Sequence, residues 1–169
     1  MKKQNLRAIL IVSLSLLAFL LGGLIGMVKE VNRTDERDLP SDVVSIIGSE
    51  RGRVILIDVM NTNCPPCVKQ VAELRKFIVS ARADVAVYSL SLEFPGYGKD
   101  SEESLRRFAE ENGVSWKIVI AQRPYEVISR LGIYGIPAII VVNRSGQVVY
   151  THVGILDAQS LSEITSLYT

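Results

Sequence analysis

Residues 54–67 read VILIDVMNTNCPPC, an apolar run followed by a polar turn and a closely spaced pair of cysteines. The near-continuous apolar run Val54–Met60 is typical of a central strand that is covered on both faces of a sheet. Pro65 and Pro66 predict the start of a helix, because the first helical turn does not use the amide hydrogen that proline lacks. The sequence therefore places the two cysteines at the junction of a buried strand and a helix.

The predicted helix separates the roles of the two cysteines. It carries one stripe of apolar side chains at helical spacing, which are Cys67, Val71, Leu74 and Ile78. Cys67 is therefore expected to face the core, whereas Cys64 precedes the helix and is expected to be exposed. A helix N-terminus favours a thiolate over a thiol. An exposed attacking sulfur beside a buried resolving sulfur is what thiol–disulfide exchange needs.

A structural disulfide and half of a metal site are the alternative interpretations of this cysteine pair. A metal site would need a second pair of ligands, and His152 is the only histidine in the chain. We interpret His152 as an ordinary strand residue. The pair is therefore predicted to be a redox-active dithiol that needs no cofactor.

Asp58 lies inside the apolar run, six residues before Cys64. A carboxylate there is costly unless it is paired or neutral, so burial is expected to raise its pKa. We predict that Asp58 takes the proton from Cys67 when that thiol must attack. An aspartate at the strand end that reaches water is the alternative.

The rest of the chain alternates predicted helices and strands. A helix is expected over Asp42–Ser49, and a capping box of Asp100 with Glu103 is expected to open another, which Gly113 ends. The other predicted elements are the strands Val85–Leu92 and Trp116–Ala121, the helix Pro124–Leu131, the hairpin strands Ala138–Val142 and Gln147–Val153, and the helix Asp157–Leu167.

The N-terminal region differs sharply from the rest. Residues 8–28 are uncharged, and 21 helical residues reach about 31 Å, the thickness of a hydrocarbon core. We predict a transmembrane signal-anchor there, with a cleaved signal peptide as the alternative. The three cations of residues 1–7 predict a cytoplasmic N-terminus and an outward-facing domain. Residues 29–39 form a polar tether, and residues 40–169 form the domain.

The charge balance excludes one large class of partners. The chain has 19 basic and 18 acidic residues, and residues 39–169 carry 13 and 14 of these. The chain therefore lacks the excess of basic residues that is typical of nucleic-acid-binding proteins. Two cysteines cannot form a framework of several disulfides.

The run Ile55–Cys67, followed much later by Gly135-Ile136-Pro137, resembles proteins of the thioredoxin fold. The resemblance implies a three-layer α/β/α domain with a mixed central sheet. It also implies a cis proline, Pro137, that faces the dithiol, with the Ile136 backbone free to pair with an extended substrate chain. We predict Ile136, Pro137, Pro65 and Pro66 as the substrate-binding residues.

The 31 residues between Leu92 and Pro124 and the N-terminal anchor resemble the membrane-tethered TlpA/ResA-like reductases that serve cytochrome c maturation. In that group an acidic residue after the second core strand lies near the dithiol. Glu93 is the matching position and is predicted as a further catalytic residue, with a solvated loop carboxylate as the alternative. Asn63 departs from the family, which usually has tryptophan before the first cysteine. This change is expected to expose the dithiol more. The N-terminal hairpin of the group is also not found.

The sequence therefore predicts an extracytoplasmic, membrane-tethered reductase of protein disulfides, with apocytochrome c as an implied substrate. A membrane protein that delivers electrons is an implied partner, because an oxidising compartment would otherwise leave the dithiol oxidised. The alternatives are an oxidase or isomerase of secreted proteins and a copper chaperone, since soft thiolates suit Cu(I).

Overall fold

The computed structural model describes residues 38–169, and this part of the chain folds as five strands and five helices. The strands are β1 (Val54–Met60), β2 (Val85–Ser91), β3 (Lys117–Ile120), β4 (Ala138–Val142) and β5 (Val148–Val153). The helices are α1 (Ser41–Ser49), α2 (Pro65–Ser80), α3 (Glu102–Asn112), α4 (Pro124–Leu131) and α5 (Ala158–Ser166). The predicted strands and helices of this region are confirmed within one or two residues.

The sheet has the strand order β3-β2-β1-β4-β5. β1, β2 and β3 run parallel, whereas β4 is antiparallel to β1 and β5 is antiparallel to β4. The mixed central sheet of the prediction is therefore confirmed. Because β1 lies in the middle, the segment that follows it leaves the sheet at the carboxyl ends of the parallel strands.

Helices cover both faces of the sheet and complete three layers. Ile55, Ile57 and Val59 of β1 pack in one core with residues of α1 and α4. The alternate β1 residues Leu56 and Met60 pack on the opposite face, with residues of α2, α3 and α5. All seven residues of β1 are buried, as expected of an apolar run that contacts helices on both sides.

The buried stripe of α2 is wider than predicted. Cys67, Val71 and Leu74 are buried as expected, but Phe77 fills the next core position and Ile78 is only half-buried. A helical face that packs on a sheet is broader than a single line of residues, so both Phe77 and Ile78 contact the same core.

The predicted cytoplasmic N-terminus, the membrane anchor and residues 29–37 of the tether lie outside the described residues. Leu39 is buried in the core that α1 and α4 share. Among residues 38–169, none of the helices has the length and apolar character to cross a bilayer.

Candidate active site

A disulfide between Cys64 and Cys67 lies at the start of α2, with the two Cα atoms 5.3 Å apart. Cys64 is the residue that precedes the helix, and Pro65 and Pro66 form its first turn. The backbone N–H of Cys67 donates a hydrogen bond to the Cys64 sulfur at 3.2 Å. This donor and the positive end of the helix dipole would stabilise a thiolate on Cys64 once the disulfide is reduced.

The predicted exposure of Cys64 is wrong, because its side chain has no solvent-exposed area. In the oxidised pair the Cys64 sulfur turns inward to bond Cys67. Both residues belong to a buried cluster with Met60, Val71 and Phe108. Pro65 and Pro66 are exposed beside it, so the surface next to the disulfide consists of the two prolines that were predicted to contact substrate.

The peptide bond between Ile136 and Pro137 is cis, as the resemblance implied, and it faces the disulfide. The Ile136 carbonyl oxygen lies 3.9 Å from the Cys64 sulfur. The Pro137 carbonyl accepts a hydrogen bond from Gly154 N–H at 2.8 Å, which ties this loop to the end of β5. Within residues 38–169 the Ile136 N–H makes no hydrogen bond, so it is available to an extended chain.

Asp58 is completely buried and its pKa is raised to about 7. Desolvation is the main cause, and it is opposed by a hydrogen bond from the Ser89 hydroxyl to Oδ2 at 3.0 Å. The other oxygen, Oδ1, has no hydrogen-bond partner among the described residues. The predicted burial and upward pKa shift are confirmed, and the alternative of an aspartate that reaches water is wrong. The proton-transfer role stays a prediction.

Glu93 follows β2 and is exposed. It lines a cavity of about 500 Å³ beside Lys99, Asp100 and the first turn of α4. Within the described region its carboxylate makes no hydrogen bond or ion pair with another side chain. Its predicted role near the dithiol stays a prediction.

Asp100 is the residue whose importance the sequence pattern misses. The predicted capping box of Asp100 and Glu103 is wrong, because Ser101 and Ser104 form the box at the start of α3. Asp100 is instead 5% exposed and bonds the turn before the dithiol. The N–H and hydroxyl of Thr62 both donate to its carboxylate, as does the hydroxyl of Ser91 at 2.6 Å. The single proton of the nearby Ser104 hydroxyl goes to the Ser101 carbonyl at 2.9 Å.

Two asparagines extend this connection along the turn. The Asn61 amide donates to the carbonyls of Leu92 and Gly98, and the Asn63 amide donates to the carbonyl of Tyr97. Tyr97 packs against the cluster that contains both cysteines. The expectation that Asn63 leaves the dithiol more exposed is wrong, because both cysteines are completely buried in this cluster.

His152 lies in β5, as predicted, and stacks on Tyr150 with ring centroids 6.4 Å apart. Across residues 38–169, no three side chains of the His, Cys, Asp or Glu type come together as a metal site. The chemistry available at this site is that of the disulfide and the buried carboxyl group.

Comparison with known proteins agrees with this geometry. The family model described as Redoxin matches residues 35–167. Thiol-disulfide oxidoreductase ResA of Halalkalibacterium halodurans is 26% identical over 117 residues, which cover 69% of this chain and 62% of that protein. The chain thus spans less than two thirds of the length of this curated relative.

Solved structures show the same fold. StoA from Bacillus subtilis superposes with a TM-score of 0.58 at 22% identity, over 68% of this chain and 84% of that one. The thioredoxin domain of a thiol-disulfide oxidoreductase from Bacteroides vulgatus gives 0.61 at 22% identity, over 73% and 84% of the two chains. The predicted thioredoxin-like α/β fold is confirmed.

Proposed function

We propose that this chain, which belongs to the Redoxin family, is a thiol–disulfide oxidoreductase with Cys64 and Cys67 as its redox centre. The observation that carries the proposal is the disulfide at the N-terminus of α2, which faces the cis Ile136–Pro137 peptide. The raised pKa of Asp58, on the same side of β1 as α2, supports it further.

The proposed reaction transfers two electrons from the reduced dithiol to a substrate disulfide. The Cys64 thiolate attacks one substrate sulfur, forms a mixed disulfide and releases the other substrate sulfur as a thiolate. The Cys67 thiol then gives its proton to ionised Asp58, and the resulting thiolate attacks the Cys64 sulfur. The Cys64–Cys67 disulfide forms and the second substrate thiolate leaves.

Pro65, Pro66, Ile136 and Pro137 are proposed to form the substrate-binding surface. The Ile136 N–H, which has no hydrogen-bond partner within residues 38–169, and the Ile136 carbonyl next to Cys64 support this role, because an extended chain could pair with both groups. Substrate sulfur would then be held next to the attacking sulfur. Glu93 is proposed as an acidic residue at the edge of this surface.

The proposed setting is the extracytoplasmic face of a membrane, with residues 8–28 as the anchor. The uncharged span and the preceding cations of the sequence support this placement. The proposed direction is reduction of protein disulfides, including those of apocytochrome c, and a membrane protein with a dithiol would supply the electrons. Protease added to intact spheroplasts should then digest residues 40–169, and protection of this domain would contradict the placement.

Activity is tested with the full chain in an insulin-reduction assay with a chemical dithiol as electron source. Cys64→Ser should lose essentially all activity, and Cys67→Ala should stop at a mixed disulfide that non-reducing gels and mass spectrometry identify. Lys69→Gln, an exposed change on the same helix, is the matched control. Substantial activity in Cys64→Ser would disprove the assignment of the nucleophile.

The direction and the copper alternative need separate measurements. A reduction potential of about −270 mV, as in thioredoxin, would support a reductase. A potential of about −120 mV would support an oxidase. Proteins trapped by Cys67→Ala should include apocytochromes with C-x-x-C-H sites and a multispanning membrane protein. Stoichiometric Cu(I) binding by the reduced chain without exchange activity would favour the copper chaperone.

A further inference from the structure

We propose that Ser89 and Trp116 are positioning residues for Asp58, which fix one carboxyl oxygen as an acceptor and leave the other oxygen to carry the exchangeable proton. This inference rests on the proposed function, in which Asp58 receives the proton of Cys67. It concerns how the carboxyl group is oriented for that transfer.

The three side chains form a directed chain of hydrogen bonds. Ser89 on β2 is in register with Asp58 on β1. The Trp116 indole Nε1–H donates to the Ser89 hydroxyl oxygen at 2.9 Å, and that hydroxyl donates to Asp58 Oδ2 at 3.0 Å. An indole nitrogen is a donor only, and a serine hydroxyl has a single proton. With Trp116 occupying a lone pair of Ser89, the serine proton points to Asp58.

The direction of these two hydrogen bonds determines which oxygen of Asp58 carries the carboxyl proton. Oδ2 accepts from Ser89, and this bond is compatible with both the ionised and the neutral carboxyl group. A proton on Oδ2 would compete with the Ser89 hydroxyl for the same position. The proton of neutral Asp58 is therefore assigned to Oδ1, the oxygen that has no hydrogen-bond partner in the described part of the chain.

The side chain of Asp58 belongs to the face of β1 that packs against α2, the helix that carries the dithiol. Leu56 and Met60, two residues before and after Asp58, point to the same face because side chains alternate along a strand. Leu56 packs in one cluster with Leu74 of α2, and Met60 packs in another with Cys67. Asp58 thus lies between two contacts that β1 makes with α2.

Several other titratable groups belong to this side of the sheet. Ile139 of β4 is opposite Asp58, and His152 of β5 is opposite Ile139, so His152 faces the same side two strands away. The clusters that contain Leu56 and Met60 hold five other titratable residues, which are Cys64, Cys67, Tyr97, Tyr150 and Tyr168. Histidine as a residue type changes charge between pH 5 and 8, so a test must separate His152 from Asp58.

Trp116 provides the measurement, because it is the only tryptophan of the chain. Its fluorescence is recorded in the oxidised full chain from pH 4 to 9, where disulfide-bonded cysteines do not titrate. The wild-type emission should change with a midpoint near the Asp58 pKa of about 7. Ser89→Ala should move this midpoint upward by about one pH unit, because the ionised carboxylate loses its donor.

Three further variants assign the transition. Asp58→Asn should abolish it, His152→Gln should leave the midpoint in place, and Ser89→Thr, which keeps the hydroxyl, should restore the wild-type value. Trp116→Phe removes the fluorescent side chain, so in this variant the titration of Asp58 is measured by NMR, from the Cγ resonance of ¹³C-labelled aspartate. Its midpoint should also rise, by less than in Ser89→Ala, because the serine hydroxyl remains but is free to rotate.

The inference is overturned if Ser89→Ala and Trp116→Phe both titrate with the wild-type midpoint. Should Ser89→Ala fail to fold, an unchanged midpoint in Trp116→Phe is sufficient to overturn it. The titration uses oxidised protein without substrate, so it is independent of whether the chain reduces disulfides. An inactive wild-type protein with the expected midpoint shifts would contradict the proposed function alone.

Discussion

Asp58 and Asp100 are both buried aspartates close to the dithiol, but their surroundings differ in the number of hydrogen-bond donors. Asp58 receives one hydrogen bond, from Ser89, and its Oδ1 has no partner among the described residues. Asp100 receives three, two of them from Thr62 in the turn before Cys64. Burial alone therefore does not define what a carboxyl group does in this fold.

The number of donors explains the two roles. Burial disfavours a charged carboxylate, and donors offset that penalty. One donor leaves desolvation dominant at Asp58, so its pKa rises to about 7 and the group can change protonation near neutral pH. Around Asp100 the polar partners are donors from two separate segments, so this side chain connects the turn before the dithiol with the end of β2.

The largest expected effect concerns the pH dependence of folding stability. The pKa of Asp58 is about 7 in the folded protein, against 3.8 for an ordinary aspartate, so between these values the folded state holds a proton that the unfolded state releases. Titration of Asp58 should therefore lower the free energy of unfolding by about 4 kcal/mol between pH 4 and 7, while carboxylates with lowered pKa values, such as Glu50 and Asp157, act in the opposite direction. Asp58→Asn cannot titrate and should lack this decrease.

Urea unfolding of the oxidised full chain at a series of pH values measures this difference. Glu103→Gln, which removes an exposed carboxylate of α3, should follow the wild-type pH dependence. Parallel curves for wild type and Asp58→Asn would mean that Asp58 is not neutral in the folded protein at low pH, and the contrast with Asp100 would fail.

The second effect is kinetic. Asp58→Asn should slow the attack of Cys67 on the mixed disulfide by about 10²-fold at pH 7, the lower end of the range for general acid–base catalysis. The defect should shrink at higher pH, where the thiol can lose its proton without a base. Rapid-quench measurement of substrate release tests this, and unchanged kinetics from pH 6 to 9 would return Asp58 to a structural role.

The fold and the dithiol could be predicted because their signals are local. A run such as Val54–Met60 indicates its burial by its own composition, Pro65 marks a helix start, and Gly113 marks a helix end. Gly113 indeed has a φ of 64°, in the left-handed region that favours glycine. None of these predictions needs knowledge of which distant segment packs nearby.

Two of the misjudged residues, Asp100 and Cys64, contact segments far apart in the chain. Thr62 and Asp100 are 38 residues apart, and a polar residue two positions before a helix resembles a cap when its partner is unknown. Cys64 is buried in a cluster against which Ile136 and Tyr97, from other loops, pack. The pattern shows that Asp58 is buried, but it does not show that Ser89 and Trp116 orient it.

The third effect is a loss of stability at Asp100. Asp100→Asn replaces one acceptor oxygen with an NH₂ donor that faces existing donors, so at least one buried donor loses its partner. The free energy of unfolding at pH 7 should decrease by about 2 kcal/mol. Asp58→Asn at the same pH should leave stability equal or higher, because it removes a desolvated carboxyl group. If Asp100→Asn and Asp58→Asn lowered the free energy of unfolding equally, while Glu103→Gln left it unchanged, the two carboxyl groups would not differ in their structural role.

The smallest effect tests whether Asp100 tolerates the loss of one of its several donors. Thr62→Val removes one of three donors while the shape of the side chain and the Thr62 N–H bond to Asp100 are kept. The free energy of unfolding should fall by only about 1 kcal/mol. The Trp116 titration midpoint should not move, because Ser89 and Asp58 are untouched. Removing the single donor of Asp58 in Ser89→Ala should move that midpoint instead. A shifted midpoint in Thr62→Val would show that the two carboxyl groups are coupled through the turn and that they do not act separately.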